Sequence, residues 1–347
     1  MELLQYSNVP PPSDGKTSLL WREISLDYDT RDNEKYNRPC ISIITPSYNQ
    51  GQFIEETIRS VLSQNYPNLE YVVIDGASTD NTVSILQKYS GSLIWISEPD
   101  NGQTDAINKG LRMSTGEIVA YLNSDDVYNE GTFKKIVDVF ESNPDIDMVY
   151  GDIIHIDQDS SFIETCRADN FNLQKYLMGM FYIPQPTVFF RKKVIDNIGY
   201  FDDSLHLAMD YDYWLRIIMH FKTMYIPDTL AMARIYKDAK SSRLDYRYLD
   251  ERIYILKKMF RDHPDLDYDK QKLFAYTFFM GALTSLRKFK FIEAFKYVLL
   301  AGKYDLHYLY NPHMFFACVE LFLGEKISNS VKPFFKSIYT KNIDEIY

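Results

Sequence analysis

The pattern of apolar and polar positions changes character at Cys40. Ahead of it, residues 1–38 carry Pro10, Pro11, Pro12, Ser13, Asp14 and Gly15 and then a polar stretch to Arg38, which reads as an arm without chemistry of its own. From Cys40 onward, short runs rich in β-branched residues alternate with segments of helical period. The runs are Ile41 to Thr45, Glu70 to Asp75, Leu93 to Ser97 and Glu117 to Leu122; the helical segments are Phe53 to Gln64, Thr79 to Tyr89 and Thr104 to Met113. This alternation predicts an α/β domain: a Rossmann-like, mostly parallel sheet with helices on both faces and right-handed crossovers. Gly131 to Glu141 reads as another helix, Met148 to Ile156 as a strand with an antiparallel partner near Phe162 to Ala168, and Val188 to Phe190 as a strand. The stretch Thr187 to Ile235 is expected to complete the same sheet. Beyond Lys237 the pattern turns helical, so the expected organisation is an arm at 1–38, an α/β domain at 39–242 and a helical C-terminal region at 243–347.

A length of 347 residues leaves room for about two domains. Lys plus Arg number 38 against 48 Asp plus Glu, a net charge of -10, which argues against a nucleic-acid partner. Apolar residues at 46% and charged residues at 25% exclude disorder over most of the chain. Cys40, Cys166 and Cys318 form no CxxC pair, so neither a disulfide framework nor a thiolate zinc site is expected. None of the six His residues has metal-ligand spacing, and they are expected to be structural or exposed. No apolar run reaches the roughly 18–20 residues that span a bilayer, and Met1 to Ser18 lacks a basic segment followed by an apolar one, so a cytoplasmic location is expected. Phe291, Ile292, Phe295, Val298 and Leu299 share one helical face. The expectation is a helix packed on the α/β domain. A face laid peripherally on the inner side of the membrane is the alternative, and the nine Lys or Arg against six Asp or Glu from Leu286 to Tyr347 keep it open.

In sheets of this type ligands bind beyond the carboxyl ends of the strands. Those ends carry Thr45-Pro46-Ser47-Tyr48-Asn49, Asp75-Gly76-Ala77-Ser78-Thr79-Asp80, Glu98-Pro99-Asp100-Asn101-Gly102 and Asn123-Ser124-Asp125-Asp126. Each piece alone suits a turn or a helix cap, and Ser78, Thr79 and Asp80 read as capping the helix they open. Four such ends in succession read as a site. No GxGxxG follows the first strand and no GxxxxGK[ST] occurs, which removes the dinucleotide and P-loop readings. A rim with Asp75, Asp100, Asp105, Asp125 and Asp126 would repel a diphosphate unless a divalent cation intervened, and carboxylates are hard ligands suited to Mg²⁺ or Mn²⁺.

Ile-Ile-Thr-Pro-Ser-Tyr-Asn, Val-Ile-Asp-Gly-Ala-Ser-Thr-Asp-Asn-Thr, Asp-Asn-Gly-Gln-Thr-Asp-Ala-Ile-Asn-Lys-Gly and Leu-Asn-Ser-Asp-Asp, in this order, resemble the family 2 glycosyltransferases of GT-A fold over about Cys40 to Ser242. The resemblance implies transfer of a sugar from a nucleotide diphosphate donor to an acceptor hydroxyl with inversion. It implies that Pro46, Ser47, Tyr48 and Asn49 line the base and ribose pocket and that Asp75 bonds the base, which favours a pyrimidine such as uracil and hence a UDP-sugar. Gly102, Asp105, Asn108 and Lys109 would meet ribose, phosphate or donor sugar. Asn123-Ser124-Asp125 falls at the family's Asp-X-Asp motif, with Asp125 the direct metal ligand, Asn123 facing the ribose or a metal-bound water, and Asp126 behind them.

Three positions depart from the family pattern. Gly76 stands where many relatives have a second Asp, Asn123 replaces the first Asp of the metal motif, and Arg234-Ile235-Tyr236 has Tyr where some relatives have a metal-binding His. Metal affinity without donor is expected to be low. In His206-Leu207-Ala208-Met209-Asp210 the resemblance gives Asp210 as the base for the acceptor hydroxyl, with Met209 where Glu is common. Asp212 and Arg216 have the spacing of a helix ion pair. Gln185 and Trp214 are acceptor-side candidates, Trp214 as a sugar platform or as core. The expected acceptor is a glycan or lipid-linked hydroxyl in bacterial surface polysaccharide assembly. A sugar nucleotidyltransferase is the second reading, disfavoured because Pro46 to Gly51 has no Lys or Arg, and an inactive nucleotide- or glycan-binding module is the third.

Overall fold

The computed structural model describes residues 9–10, 38–237, 239 and 246–310; most of the expected N-terminal arm, Cys318 and the end of the basic tail lie outside them. The chain forms two compact units, one of residues 1–172 with 181–243 and one of residues 173–180 with 244–347.

The first unit is built on nine strands: β1 (Ile41–Ser47), β2 (Leu69–Asp75), β3 (Ile94–Ser97), β4 (Ile118–Tyr121), β5 (Val127–Tyr128), β6 (Met148–Ile156), β7 (Phe162–Cys166), β8 (Phe189–Arg191) and β9 (Thr223–Arg234). They lie in the order β3-β2-β1-β4-β8-β6-β9-β5, with β7 paired to β6 outside that order. β3, β2, β1 and β4 are mutually parallel, and β6 and β9 also pair in parallel. β8 is antiparallel to both β4 and β6. β1 and β2 are buried along their whole length, which is why they read as apolar runs instead of alternating. The expected antiparallel partner of Met148 to Ile156 is β7, opposite Ile153 to Ile156.

Helices α1 (Ile54–Leu62), α2 (Thr82–Lys88) and α3 (Gln103–Met113) return the chain between the parallel strands, followed by α4 (Thr132–Ser142). Ile54, Ile58, Val61 and Leu62 of α1 join Ile41, Ile43, Tyr71 and Val73 of the sheet in the main core, with Phe133 and Phe140 of α4. The short α6 (Lys193–Ile198) and the longer α7 (Met209–His220) precede β9.

The second unit contains α5 (Leu173–Met178), α8 (Tyr246–Asp262), α9 (Lys270–Arg287) and α10 (Phe291–Tyr304). Arg252 of α8 donates to the Leu177 carbonyl of α5 at 2.6 Å, and Phe278 of α9 stacks on Tyr297 and Tyr304 of α10. The apolar stripe on α10 is not its packed face. Ile292 is 84% exposed, Phe295 65% and Leu299 53%, whereas Ala294, Tyr297 and Ala301 are buried. Small side chains let α10 approach α9 closely, and the larger apolar residues of the expected packed face point outward instead.

Candidate active site

Strand register sets the first part of the site. Ser47 lies opposite Asp75, and Asp75 opposite Ser97, so three polar side chains form a row across the carboxyl ends of β1, β2 and β3. The fully buried Asp75 carboxylate accepts from the Ser78 amide at 2.9 Å, the Ser78 hydroxyl and the Ser97 hydroxyl at 2.7 Å. A carboxylate has about four acceptor positions, so three are taken within the protein. Asp75 therefore ties the turn after β2 to the end of β3. Pro46 and Ser47 are buried, the Ser47 hydroxyl without a partner among the described residues, while Tyr48 is 60% exposed. Asn49, in the left-handed region at φ 52°, donates its amide to the Ser78 hydroxyl and accepts from the Thr79 amide at 2.8 Å. Asp80 accepts from the Thr82 amide at the start of α2 and also from the Gly51 amide at 2.9 Å, while the N-cap position itself is Asn81, whose side chain makes no capping bond. The β1 and β2 loops are thus stitched together.

Gly76 leaves room that Asp100 fills: a Cβ there would sit 2.7 Å from Asp100 Oδ2. The carboxylate missing at position 76 is therefore replaced in space by one from the next strand end. Asp100 in turn accepts from the Gly102 amide at 2.8 Å, where Gly102 adopts φ 109°, a conformation open to glycine. Along α3, Asp105 accepts from the Asn101 amide, and Lys109 pairs with Glu98 at 2.9 Å and with Asp105 at 3.6 Å. Asn108 corrects the expectation of a ligand contact. It is fully buried, donates to the Phe201 carbonyl and Asp203, and accepts from the Phe201 amide, so it anchors the 201–203 loop.

At the end of β4 the amide of Asn123 is also engaged inside the protein. It accepts from Gln103 at 2.6 Å and donates to Asp126 at 3.1 Å and to Gln185 at 3.0 Å. These bonds hold the half-buried Asn123 within the protein, and the buried Gln185, which also donates to the Tyr121 carbonyl, braces this network instead of meeting an acceptor. Ser124 is buried. Asp126 is enclosed, accepting from the Arg234 amide, and burial, followed by the nearby Asp125 charge, pushes its carboxyl up to about 8. Asp125 is half-buried. Its Oδ2 accepts from the Tyr236 hydroxyl at 3.0 Å, and burial raises its carboxyl above the usual range. A desolvated carboxylate with one oxygen held by a phenol and the other turned from any side-chain donor among the described residues fits a divalent ion that takes its remaining ligands from water and diphosphate.

Sequence reasoning missed the cation behind this pair. Arg234, itself buried, bonds Glu56 of α1 at 2.6 Å and donates to the Asp125 carbonyl and to the carbonyls of Asp157 and Gln158. The guanidinium also lies over the Phe53 ring at 4.7 Å. A Glu in the first turn of an amphipathic helix reads as solvated, so nothing local announced its buried partner 178 positions away.

Asp210 stands in the first turn of α7 and accepts from the Tyr211 amide at 2.8 Å. Burial, with the charges of Asp210 and Asp126 added, holds the phenol of Tyr121 far above its ordinary range. Trp214 is core and not a sugar platform: it is 2% exposed and packs against Tyr121, Phe190, Phe201 and Tyr213. Asp212 and Arg216 make the expected ion pair at 2.8 Å, with Asp212 buried.

A sheet of this order, with an acidic pair after β4, is the arrangement of a GT-A fold. Residues 42–199 match the model of Glycosyl transferase family 2. An uncharacterized glycosyltransferase of Rickettsia typhi is 27% identical over 61% of this chain and 69% of its own length. The putative teichuronic acid biosynthesis glycosyltransferase TuaG of Bacillus subtilis is 39% identical over 28% of this chain and 40% of its own. Across the first curated relatives the match spans from 31% to 69% of their length. Among solved structures, S. aureus TarS 1–349 in complex with UDP-GlcNAc superposes with a TM-score of 0.60 at 20% identity, over 76% of this chain and 80% of that one.

Proposed function

We propose that this protein moves a sugar from a UDP-sugar to a hydroxyl of a glycan or lipid-linked acceptor, with inversion, in the assembly of a bacterial surface polysaccharide. The observation that carries the reading is Asp125, a desolvated, half-accessible carboxylate braced by Tyr236 at the strand end next to the nucleotide loops. Asp125 would hold Mn²⁺ or Mg²⁺, which when bound neutralises the charge of the leaving diphosphate. Pro46, Ser47, Tyr48 and Asn49 would enclose base and ribose, with Asp75 offering its remaining acceptor position to N3–H of uracil. Gly102, Asp105 and Lys109 line the diphosphate side, and buried Ser124 supports the turn. Asp210 would take the proton of the acceptor hydroxyl as that oxygen attacks the anomeric carbon. The polysaccharide assignment draws on the similarity to TuaG over part of the chain. The outward Ile292, Phe295 and Leu299, flanked by Lys288, Lys290, Lys296 and Lys303, suit the surface of an anionic membrane on its cytoplasmic side.

UDP release from a panel of UDP-sugars with Mn²⁺ tests the reading. Activity that falls at least about 100-fold in Asp210→Asn, within the range general base catalysis supplies, with nucleotide affinity kept, supports the assigned base; unchanged turnover removes it. Full activity in EDTA sinks the metal assignment.

A further inference from the structure

The β6–β7 hairpin brings together three side chains that no sequence spacing connects. The antiparallel register sets His155 opposite Glu164 and Ile153 opposite Cys166. Glu164 and Cys166 are two residues apart on one strand and so project to the same side of the hairpin. His155 Nδ1 lies 3.1 Å from Glu164 Oε1 and 3.3 Å from Cys166 Sγ, and one donor atom from each residue falls within 4.8 Å of the others. We infer that His155, Glu164 and Cys166 form a zinc site on this hairpin, separate from the carboxylate end of β4.

Geometry and ligand chemistry point the same way. Zinc arms of roughly 2.0–2.1 Å to nitrogen and oxygen and 2.3 Å to sulfur put tetrahedral neighbours about 3.4–3.6 Å apart. The two observed separations are a few tenths of an ångström shorter, so a small opening of the three side chains admits an ion between them. One imidazole, one thiolate and one carboxylate make a borderline-soft set, which selects Zn²⁺ over the Mg²⁺ or Mn²⁺ suited to oxygen-only ligands. Binding exchanges the Sγ–H bond for an Sγ–Zn bond and releases the thiol proton to water. Glu164 is largely exposed and Cys166 half-buried, so the ion reaches the site from solvent and water completes the fourth position.

The role that follows is structural. β7 is a five-residue strand, paired with β6 through a register shift at His155 and Ile156, where the ladder is weakened. A metal clip beside that shift holds the hairpin closed. Its tip, Asp157 to Ser160, is gripped by Arg234, which also donates to the Asp125 carbonyl. The clip therefore stiffens one wall of the cage around Arg234, and it operates whether or not glycosyl transfer is the activity.

Cobalt titration of the chelator-treated full chain tests the site, because only a thiolate ligand gives a sulfur-to-cobalt charge-transfer band in the near ultraviolet. One equivalent should develop that band, and Zn²⁺ should displace it. Cys166→Ser should abolish the band and His155→Ala should weaken cobalt binding at least about tenfold, while Asp125→Ala leaves the band intact. A cooperative melting transition, kept in Cys166→Ser, certifies that the variant folds. Absence of the band in the wild-type protein, its survival in Cys166→Ser, or its loss in Asp125→Ala would overturn the site.

Discussion

The phenol of Tyr236 donates to Asp125 Oδ2 at 3.0 Å while its ring lies 5.0 Å from that of Phe53. A residue that departs from the metal-binding His of some relatives is thereby the one that orients the carboxylate proposed to hold the metal. Groups that orient a ligand in this way typically change metal affinity by about 10–100-fold when removed. Tyr236→Phe should weaken Mn²⁺ binding in the presence of UDP by about that factor, and Tyr236→His, which adds an imidazole, should strengthen Mn²⁺ binding without nucleotide. Calorimetric titration of Mn²⁺ reads both, and a Tyr236→Phe affinity equal to wild type would remove the orienting role.

The Arg234–Glu56 pair is buried on both sides. Removing one partner leaves an uncompensated charge in the interior and costs about 3–5 kcal/mol. Arg234→Met should lower the unfolding free energy measured in urea by that amount, whereas the double variant with Glu56→Gln should recover part of it. A single-variant loss under about 1 kcal/mol would mean that water reaches Glu56.

Asp126 gives stability a pH signature. Its carboxyl, raised to about 8 by burial and then by Asp125, stays protonated in the fold while the unfolded chain ionises from about 4. Between these values the native state binds more protons, so stability falls as pH rises from about 4 to about 8 and levels off above. Urea unfolding in EDTA across this range should show the fall, and Asp126→Asn should flatten it. An identical slope in the variant would assign the effect elsewhere.

Trp214 distinguishes core from platform by its response to size. Trp214→Ala should cost about 3–5 kcal/mol through the cavity left among four aromatic rings, while Trp214→Phe should keep most of the stability and an unchanged KM for acceptor. A rise in acceptor KM in Trp214→Phe at intact stability would restore the sugar-stacking role.

Much of this fold is legible in local pattern because burial leaves a periodic trace. Ile41 to Thr45 and Glu70 to Asp75 read as strands since both faces of β1 and β2 are covered, and the α3 period follows from its single buried face. The strand-end acids were legible for a topological reason: in a parallel sheet they collect on one rim whatever the loops do. The α10 stripe misled because periodicity shows that a face is apolar and not which face meets a neighbour, a matter settled there by Ala294 and Ala301.

The α/β class and the order of its elements were therefore readable from the chain alone, since both depend on residues near one another along it. Only the tertiary structure decided which polar side chains are spent. Asn108, Asn123 and Gln185 have the chemistry of ligand contacts, yet hydrogen bonds to residues 62 to 95 positions away use them inside the protein. The same holds for Asp100 standing in for a carboxylate at Gly76 and for the meeting of His155 with Cys166. A buried polar group must find a partner, and which partner it finds is fixed by register and packing that no local pattern encodes.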